Sequence, residues 1–545
     1  MKKIFAGSLL LGALFAAAPL LAQTGNNDLP GGGQYTINSD YNPTLAAARK
    51  IDLPASIPAP DTARVKMTYD VQTRLLRLPF KPADLKPLPL PKDNEHPELQ
   101  NNLLYAGAGN HLSAFVLARY NSGSSGKLNY GFSVDHLSGN HSNRDFQLFS
   151  QNHFQVYLDL TGKKVTTRFQ GTDDRKVFYF YGYDHSDTAL HFTAKDLRRR
   201  FNDLDFSIQL DNAKHNAAGI DYTFRIGENN YSDNLGNSEN QVSGLFRVQK
   251  TFHKVHTLGL GLSGFTDQDK EDSLVQRFRF QFNPWYCFKQ EGGFIKVGLT
   301  GAQQDQLFYL FPDFDSEKKL AGEKLIYFAA SDGGVVMNGL RNLTTFNPFL
   351  MQAPALKISR EYNQHTGFKG SLNAHLSYNL EFEQQTIRNF ALYLPDTADL
   401  KKYMVTYDNR ASLITLMAEA GWKWNDQFNA RLQVCYFNYD LDTAAFAYGH
   451  PKASATLGVD FVYHKNLMLH GDLVYLSGIP EKLLNDGTQM VTHSTVNARL
   501  SATYNINQWF SAFIRLDNIA GQAYQRWYQY PSYGCTAIAG LGIRF

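Results

Sequence analysis

The chain has 545 residues, and its 53 Lys and Arg residues against 50 Asp and Glu residues give a formal net charge of +3. This near balance excludes the basic footprint of a nucleic-acid-binding protein. The cysteines, Cys287, Cys435 and Cys535, are too few for a disulfide scaffold and too far apart for a metal-ligand spacing. Aromatic residues make up 14% of the chain although the mean hydropathy is -0.36. The length suits two to four soluble domains or one large barrel, and this composition favours the barrel.

The N-terminus has the features of a secretory signal peptide. Lys2 and Lys3 precede an apolar run from Ile4 to Ala22, so residues 1–22 are expected to be removed after Ala22. A single transmembrane anchor is the alternative. No other uninterrupted apolar stretch reaches the ~18 residues that a helical span needs. Membrane residence would therefore require a β-barrel.

Residues 23–100 form a proline-rich segment, which holds eleven of the 20 prolines of the chain. Because proline lacks the N–H that a sheet needs, this segment is expected to be an extended arm. A disordered linker is the alternative. Leu75, Leu76, Leu78 and Phe80 favour an arm that docks in the periplasm or in the barrel mouth.

Residues 101–545 show the two-residue alternation of β-strands. In the final strand Ala537, Ala539, Leu541, Ile543 and Phe545 share one face. The sequence predicts an all-β fold, a transmembrane antiparallel β-barrel of about 22 strands, with sixteen as the lower limit. The candidate strands lie near 111–121, 127–137, 150–160, 164–171, 175–184, 203–212, 217–228, 240–252, 254–266, 273–282, 284–290, 294–303, 322–330, 360–369, 376–386, 411–424, 427–438, 452–464, 466–476, 492–505, 508–518 and 536–545.

In the C-terminal half, long and short connections alternate. The long ones span 387–410, 439–451, 477–491 and 519–535, and the tight turns lie at 425–426, 465 and 506–507. Short periplasmic turns and longer external loops are typical of outer-membrane barrels. The alternation fails between Ser138 and Asn240, so at least one hairpin there is expected to be misassigned.

The segment Asp517-Asn518-Ile519, followed by Tyr524, Tyr530-Pro531 and a final strand ending in Phe545, resembles the end of a TonB-dependent receptor. The resemblance covers roughly 411–545 and extends by strand count to Asn101. It implies a 22-stranded outer-membrane barrel. Ser532–Cys535 departs from the family's usual Pro-Gly-Arg, and residues 23–100 are too few for the family's plug and show no TonB box. Coupling to TonB is therefore not carried over.

Residues 105–107 and 109–110 are also similar to plugless receptor-like barrels of Bacteroidetes-type bacteria. That resemblance implies no particular function.

Four arginines, Arg431, Arg499, Arg515 and Arg544, lie on the polar face of the C-terminal strands and are expected to line the lumen. They would either pair with carboxylates such as Glu419 and Asp460 or favour anionic solutes. Phe545 is the expected assembly signal. The cluster of Arg198, Arg199 and Arg200 is expected to be a solvated connection, with phosphate binding on the outside as the alternative.

His136, Ser138, His141 and Asp145 surround one connection, but their spacing matches no nucleophile elbow or zinc signature. A polar loop is expected there. The sequence therefore predicts a protein that is not an enzyme and has no metal or cofactor.

Two functions remain open from the sequence. The first is passage of a solute or polymer across the outer membrane through a plugless barrel. The second is a structural or assembly subunit whose barrel is filled or is capped by a partner protein, because an empty bore of this width would be lethal. Outer-membrane lipid and a capping partner are the expected partners.

Overall fold

The computed structural model describes residues 102–545 except 124–126, 141–143, 214–217, 271–273, 305, 352–355, 397–398, 465 and 483–488. The expected signal peptide, the proline-rich arm and His141 lie outside the described residues. No helix in the described part of the chain is long and apolar enough to cross a bilayer.

The described chain folds as one closed antiparallel barrel of 22 strands, which confirms the predicted fold class. The barrel strands are β1 (Leu103–Gly109), β2 (Ala114–Asn121), β3 (Leu128–Asn140), β4 (Leu148–Thr161), β5 (Val165–Tyr179), β6 (Arg198–Asn212), β7 (Ile220–Asp233), β8 (Ser238–Phe252), β9 (His256–Lys270), β10 (Leu274–Gln290), β11 (Gly293–Gln304), β12 (Leu307–Lys319), β13 (Ile326–Met337), β14 (Ile358–Ser371), β15 (Leu376–Pro395), β16 (Tyr403–Lys423), β17 (Phe428–Leu441), β18 (Ala453–Tyr463), β19 (Leu467–Leu476), β22 (Thr495–Asn505), β23 (Phe510–Asp517) and β26 (Thr536–Arg544). Two short ribbons, β20 (Pro480–Lys482) with β21 (Gln489–Val491) and β24 (Gln525–Trp527) with β25 (Tyr530–Pro531), and two helices, α1 (Ala194–Leu197) and α2 (Leu340–Phe346), lie in the connections.

The first and last strands close the barrel. β1 pairs with β26 from Leu103 opposite Arg544 to Gly109 opposite Ile538, and the backbones of Asn102 and Phe545 exchange two hydrogen bonds. Closure leaves no free strand edge at this junction, as a bilayer requires. We call the end at which Asn102 and Phe545 lie the proximal end, and the opposite end distal.

The connections differ between the two ends. The turns 424–427, 464–466 and 506–509 lie at the proximal end, whereas 180–197, 338–357, 442–452, 477–494 and 518–535 lie at the distal end. The predicted asymmetry is therefore confirmed in the C-terminal half, with one exception. The long connection expected at 387–410 is wrong, because β15 extends to Pro395 and β16 already begins at Tyr403. Among the described residues, the distal connections 110–113 and 234–237 are short.

The count of 22 strands is right although four of the predicted segments are wrong. β5 is one strand where 164–171 and 175–184 were expected, and β10 likewise joins 273–282 to 284–290. β1 and β12 were not predicted. The two splits and the two omissions cancel in the total.

The distal half of β13 leaves the wall. Pairing of β12 with β13 ends at Phe314 opposite Ser331, whereas β13 stays paired with β14 up to Met337. Val335 and Met337 pack in one buried cluster with Phe265 of β9 and Ala302 of β11. The β13–β14 hairpin therefore folds inward over the lumen-facing side of β9–β12.

Candidate functional site

An aromatic core joins connections from opposite sides of the bore. Tyr181, after β5, has its ring centroid 4.9 Å from that of Tyr530 and 6.1 Å from that of Phe349 in the 338–357 connection. The Nζ of Lys402, before β16, lies 5.9 Å from the ring of Phe180. β5 and β15 are ten strands apart in a barrel of 22, and its bore is roughly 40 Å wide between backbones. These contacts therefore span the distal end. We call this set the loop core; its buried members are Phe180, Leu197, Leu343, Phe346, Phe349, Leu350, Tyr393, Tyr403, Val405, Trp527 and Tyr530.

Polar contacts fix α2 to the wall formed by β6, β7 and β8. Arg341 donates from Nε to Asp203 Oδ2 at 2.6 Å and from its backbone N–H to Glu239 Oε2 at 3.1 Å. Tyr231 and Thr344 share a hydrogen bond between their hydroxyls. The helix is only seven residues long, so these tertiary contacts rather than helix propensity hold it in place.

Arg199 is fully buried beneath the same connection. Its Nη1 donates to Asp233 Oδ2 at 2.6 Å and its Nη2 to the carbonyl oxygen of Leu350 at 2.9 Å. The prediction that Arg198–Arg200 is a solvated connection is wrong, because these residues begin β6 and Arg199 is buried. Burial also excludes Arg199 from the alternative of external phosphate binding. The guanidinium instead ties the strand β6 to the loop core.

A cavity of about 180 Å³ lies between the wall and the loop core. Its lining combines aromatic rings with charged and amide groups, namely Gln151, Asp174, Lys176, Phe178, Phe201, Asp203, Tyr231, Thr344, Thr345, Phe346, Pro348, Arg526 and Trp527. Aromatic walls with a few polar groups are typical of sites that bind small organic molecules. The sequence did not predict this site, because its residues come from six segments spread over nearly 400 positions.

Two titratable groups are buried in the distal connections. His450 donates from Nε2 to the carbonyl oxygen of Ala391 at 2.9 Å, and burial lowers the pKa of His450 to about 4. Glu481, in β20, accepts a bond from the Tyr403 hydroxyl at 3.4 Å, and burial raises the pKa of Glu481 well above its ordinary value. Burial therefore favours the neutral form of both side chains in the folded loops.

The four predicted lumen arginines lie on the strand face opposite to the exposed apolar side chains. Arg544 donates from Nε to the Tyr105 hydroxyl at 2.8 Å, and Arg515 lies 4.8 Å above the ring of Phe115. Arg499 pairs with Asp472 at 3.7 Å. Arg431 stands opposite Gly421 and Gly458 in the register.

The two carboxylates named from the sequence have other partners. Glu419 accepts bonds from Gln433 and Asn379, and Asp460 pairs with His470 at 2.7 Å. The carboxylate that contacts Arg499 is Asp472, which the sequence did not single out.

Phe545 lies on the outward face of the last strand. It is 55% exposed, as its neighbours on that face, Leu541 and Ile543, are 64% and 37% exposed. Trp509 and Tyr504 are exposed at the same proximal end. Aromatic side chains in this position are typical of an interfacial girdle.

His136 and Ser138 lie in strand β3 and not in the expected polar loop. Nε2 of His136 is 3.1 Å from Ser138 Oγ, and Nδ1 is 2.7 Å from Asn152 Oδ1 in β4. Asp145 is exposed in the connection and is not part of this chain of bonds. In the described part of the chain no group of three or more His, Cys, Asp and Glu residues could hold a metal ion.

Comparisons with protein-family models and with curated proteins find no match. Solved structures match in fold. A variant of the FrpB iron transporter from Neisseria meningitidis has a TM-score of 0.64 at 11% identity, over 82% of this chain and 81% of that one. A mutant ferric enterobactin receptor, PfeA from Pseudomonas aeruginosa, in complex with enterobactin gives 0.61 at 12% identity, over 82% and 81%. FpvA of P. aeruginosa bound to a heterologous pyoverdine gives 0.61 at 10% identity, over 82% and 71%.

These similarities establish the fold and confirm the resemblance drawn from the C-terminal residues. The neighbours are transporters and receptors. The chain has the 22-strand β-barrel architecture of the TonB-dependent receptors of the outer membrane.

Proposed function

We propose that this protein resides in the outer membrane and passes a solute or polymer across it through the barrel. The observation that carries the proposal is the cavity beside the loop core, inside a barrel whose structural neighbours are transporters and receptors. Passage requires no bond to be made or broken, so no catalytic group is assigned to it. Enterobactin and pyoverdine are ligands of the neighbours and are not assigned to this chain.

In this proposal the loop core controls access from outside. The core spans the bore through ring contacts such as Phe349 on Tyr530, whose centroids are 3.5 Å apart. Passage therefore requires the 338–357 connection to move away from β6–β8. The contacts of Arg199, Arg341 and Thr344 oppose that movement.

Arg431, Arg499, Arg515 and Arg544 are proposed to line the lumen. They share the strand face of Phe513 and Ser511, which are buried, whereas Ile514 and Leu541 on the other face are exposed. Their summed charge would favour anionic solutes. We assign no coupling to TonB, because residues 23–100 carry no recognisable TonB box or plug motif.

The second candidate function is a structural or assembly subunit with a filled or partner-capped barrel. The inward fold of β13–β14 and the loop core favour it, because both occupy bore that a transporter needs open. For this second function the loop core is a permanent closure of the bore, and a partner protein completes the complex.

Planar-bilayer conductance distinguishes the two functions. Wild-type protein is compared with a variant in which residues 340–350 are replaced by a Gly-Ser linker, and isolation in mild detergent shows whether a stoichiometric partner is present. The transport proposal expects rare brief openings in the wild type and a large steady conductance in the variant. A stoichiometric partner, with a wild-type barrel that never conducts, would support the structural subunit instead. Recovery in the soluble periplasm would exclude both.

A further inference from the structure

Three polar side chains on neighbouring strands form a hydrogen-bonded chain. Ser138 Oγ lies 3.1 Å from Nε2 of His136, whose Nδ1 lies 2.7 Å from Oδ1 of Asn152. His136 and Asn152 stand directly opposite each other in the register of β3 and β4. This is the order of a nucleophile, a base and a group that orients the base.

The hydrogen bonds fix the proton on the imidazole. Asn152 Nδ2 points at the carbonyl oxygen of Arg175, at 3.4 Å, and at Ser150 Oγ, at 3.3 Å, so Oδ1 is the atom that faces His136. An amide oxygen can only accept, and Nδ1 of His136 must therefore carry the hydrogen. Nε2 is then free to accept the proton of the Ser138 hydroxyl, as a general base must.

The chain of hydrogen bonds lies on the outward face of the barrel, at the distal edge of the apolar band. On β3, Phe132 lies on the same strand face as Ser138 and is 40% exposed. On β4, Phe154 and Val156 lie on the same face as Asn152 and are 45% and 46% exposed. Ser138 is near the distal end of β3. The apolar residues would face acyl chains, and Ser138 would stand at the depth of the ester bonds of the outer leaflet.

We propose that Ser138, His136 and Asn152 form a hydrolytic site for carboxylic esters of membrane lipids. This inference rests on the proposed outer-membrane residence and is independent of passage through the bore. Ser138 and His136 are the catalytic residues, and Asn152 is a positioning residue that acts through His136.

The reaction has two steps. Ser138 Oγ attacks the ester carbonyl carbon as its proton moves to Nε2 of His136. The bond between that carbon and the lipid alcohol oxygen breaks, and the departing oxygen takes the proton. A water molecule, deprotonated by the same nitrogen, then cleaves the acyl-serine ester, which releases the fatty acid and restores the serine hydroxyl.

Arg175 gives the site a preference for anionic lipids. It stands opposite Asn152 in the register of β5, is exposed, and forms no ion pair with any described residue. Its charge would hold a headgroup phosphate two strands from the serine. An Arg175→Gln variant is expected to raise KM for phosphatidylglycerol and to leave KM for a neutral diacylglycerol unchanged.

Release of fatty acid from phosphatidylglycerol in mixed detergent micelles tests the site, together with labelling by a fluorophosphonate that reacts with activated serines. The wild type is expected to release fatty acid and to carry the label on Ser138. Ser138→Ala and His136→Gln are expected to lose activity by ~100-fold or more. Ser412→Ala is the matched control, because Ser412 lies on the outward face of β16 away from the site.

Asn152→Asp keeps an acceptor for His136 and is expected to retain most of the activity, whereas Asn152→Leu loses it. Heat-modifiability on gels shows that each variant is folded. Absence of fatty-acid release and of labelling in folded wild type, or full activity of Ser138→Ala, would overturn the proposal. Hydrolysis by a protein that fractionates away from the outer membrane would contradict the proposed function and leave the hydrolytic site standing.

Discussion

Arg199 and Asp233 form an ion pair, 2.6 Å between Nη1 and Oδ2, in which neither side chain is exposed. The same guanidinium donates to the carbonyl oxygen of Leu350, so one buried charge connects β6, β7 and the 338–357 connection. An unpaired buried charge is far more costly than a paired one. The position of the loop core therefore depends on this pair.

Arg199→Met is expected to destabilise the distal connections by about 3–5 kcal/mol, because it leaves Asp233 buried without its counter-charge. Cleavage by added protease within 338–351 would become faster while the barrel stays resistant. Arg199→Met combined with Asp233→Asn should recover part of the loss. The amide oxygen of the asparagine can still accept the N–H groups of Leu235 and Asn237. Equal protection of the wild type and Arg199→Met would refute the role of the pair.

His450 is expected to make the distal connections sensitive to acid. The folded pKa of about 4 lies below the ordinary value of about 6.5. Neutral His450 thus contributes stability that is present above about pH 6.5 and is lost as the pH falls toward 4. The change is measured by the fluorescence of Trp527 in a variant in which the other four of the five tryptophans are replaced by Phe. His450→Gln should show a flatter response over that range.

Glu481 is expected to act in the opposite direction. Its raised pKa means that the protonated carboxyl stabilises the folded loops below the ordinary value of about 4.5. That stability is lost as the pH rises through the raised pKa. Glu481→Gln, which stays neutral, should abolish this loss with rising pH in the same Trp527 fluorescence assay. An unchanged response to rising pH would show that another group is responsible.

The lumen arginines are expected to set ion selectivity once the bore is open. In the variant with a linker at 340–350, Arg499→Gln with Arg515→Gln should shift the reversal potential in a KCl gradient toward cations. Arg388→Gln with Arg410→Gln removes the same charge from two exposed positions. That control pair should leave the reversal potential unchanged. Equal shifts for both pairs would argue against lumen placement of Arg499 and Arg515.

Phe545 is expected to matter for insertion more than for the finished barrel. Its deletion, or Phe545→Asp, should strongly lower the amount of folded protein in the outer membrane. A charge near the interface costs the folded barrel only ~0–1 kcal/mol, so a larger loss must arise during assembly. Quantitative fractionation measures the amount, and conductance per molecule should not change. Normal accumulation of the variant would mean that Phe545 is not the assembly signal.

The alternation of side chains was enough to predict the barrel, because a bilayer on one side and polar groups on the other impose a period of two. It failed where both faces are alike. In β5 the residues Gly171–Asp174 are small or polar on both faces, and in β10 Pro284 interrupts the pattern, so each strand was divided. β12 was missed because Asp313, Asp315 and Glu317 stand on its lumen side next to Pro312.

The sites could be predicted less well than the fold. The sequence singled out His136 and Ser138, but Asn152 is fourteen residues further on and reaches them only through the register of β3 and β4. Arg199 was assigned to a solvated run because the residues next to it in sequence give no indication that Asp233 and the backbone of Leu350 are its partners. The cavity and the loop core depend on which distal connections meet, and alternation along single strands contains no such information.

The inward fold of β13 also changes how the cylinder could be breached. Along the distal half of β12, between Leu307 and Asp313, no ladder joins this strand to β13 in the described chain. Side-chain packing around Val335 and Met337 closes the wall there in place of backbone hydrogen bonds. Separation of the two layers would thus break no ladder bonds, and an amphiphile could move sideways between the lumen and the bilayer at this position.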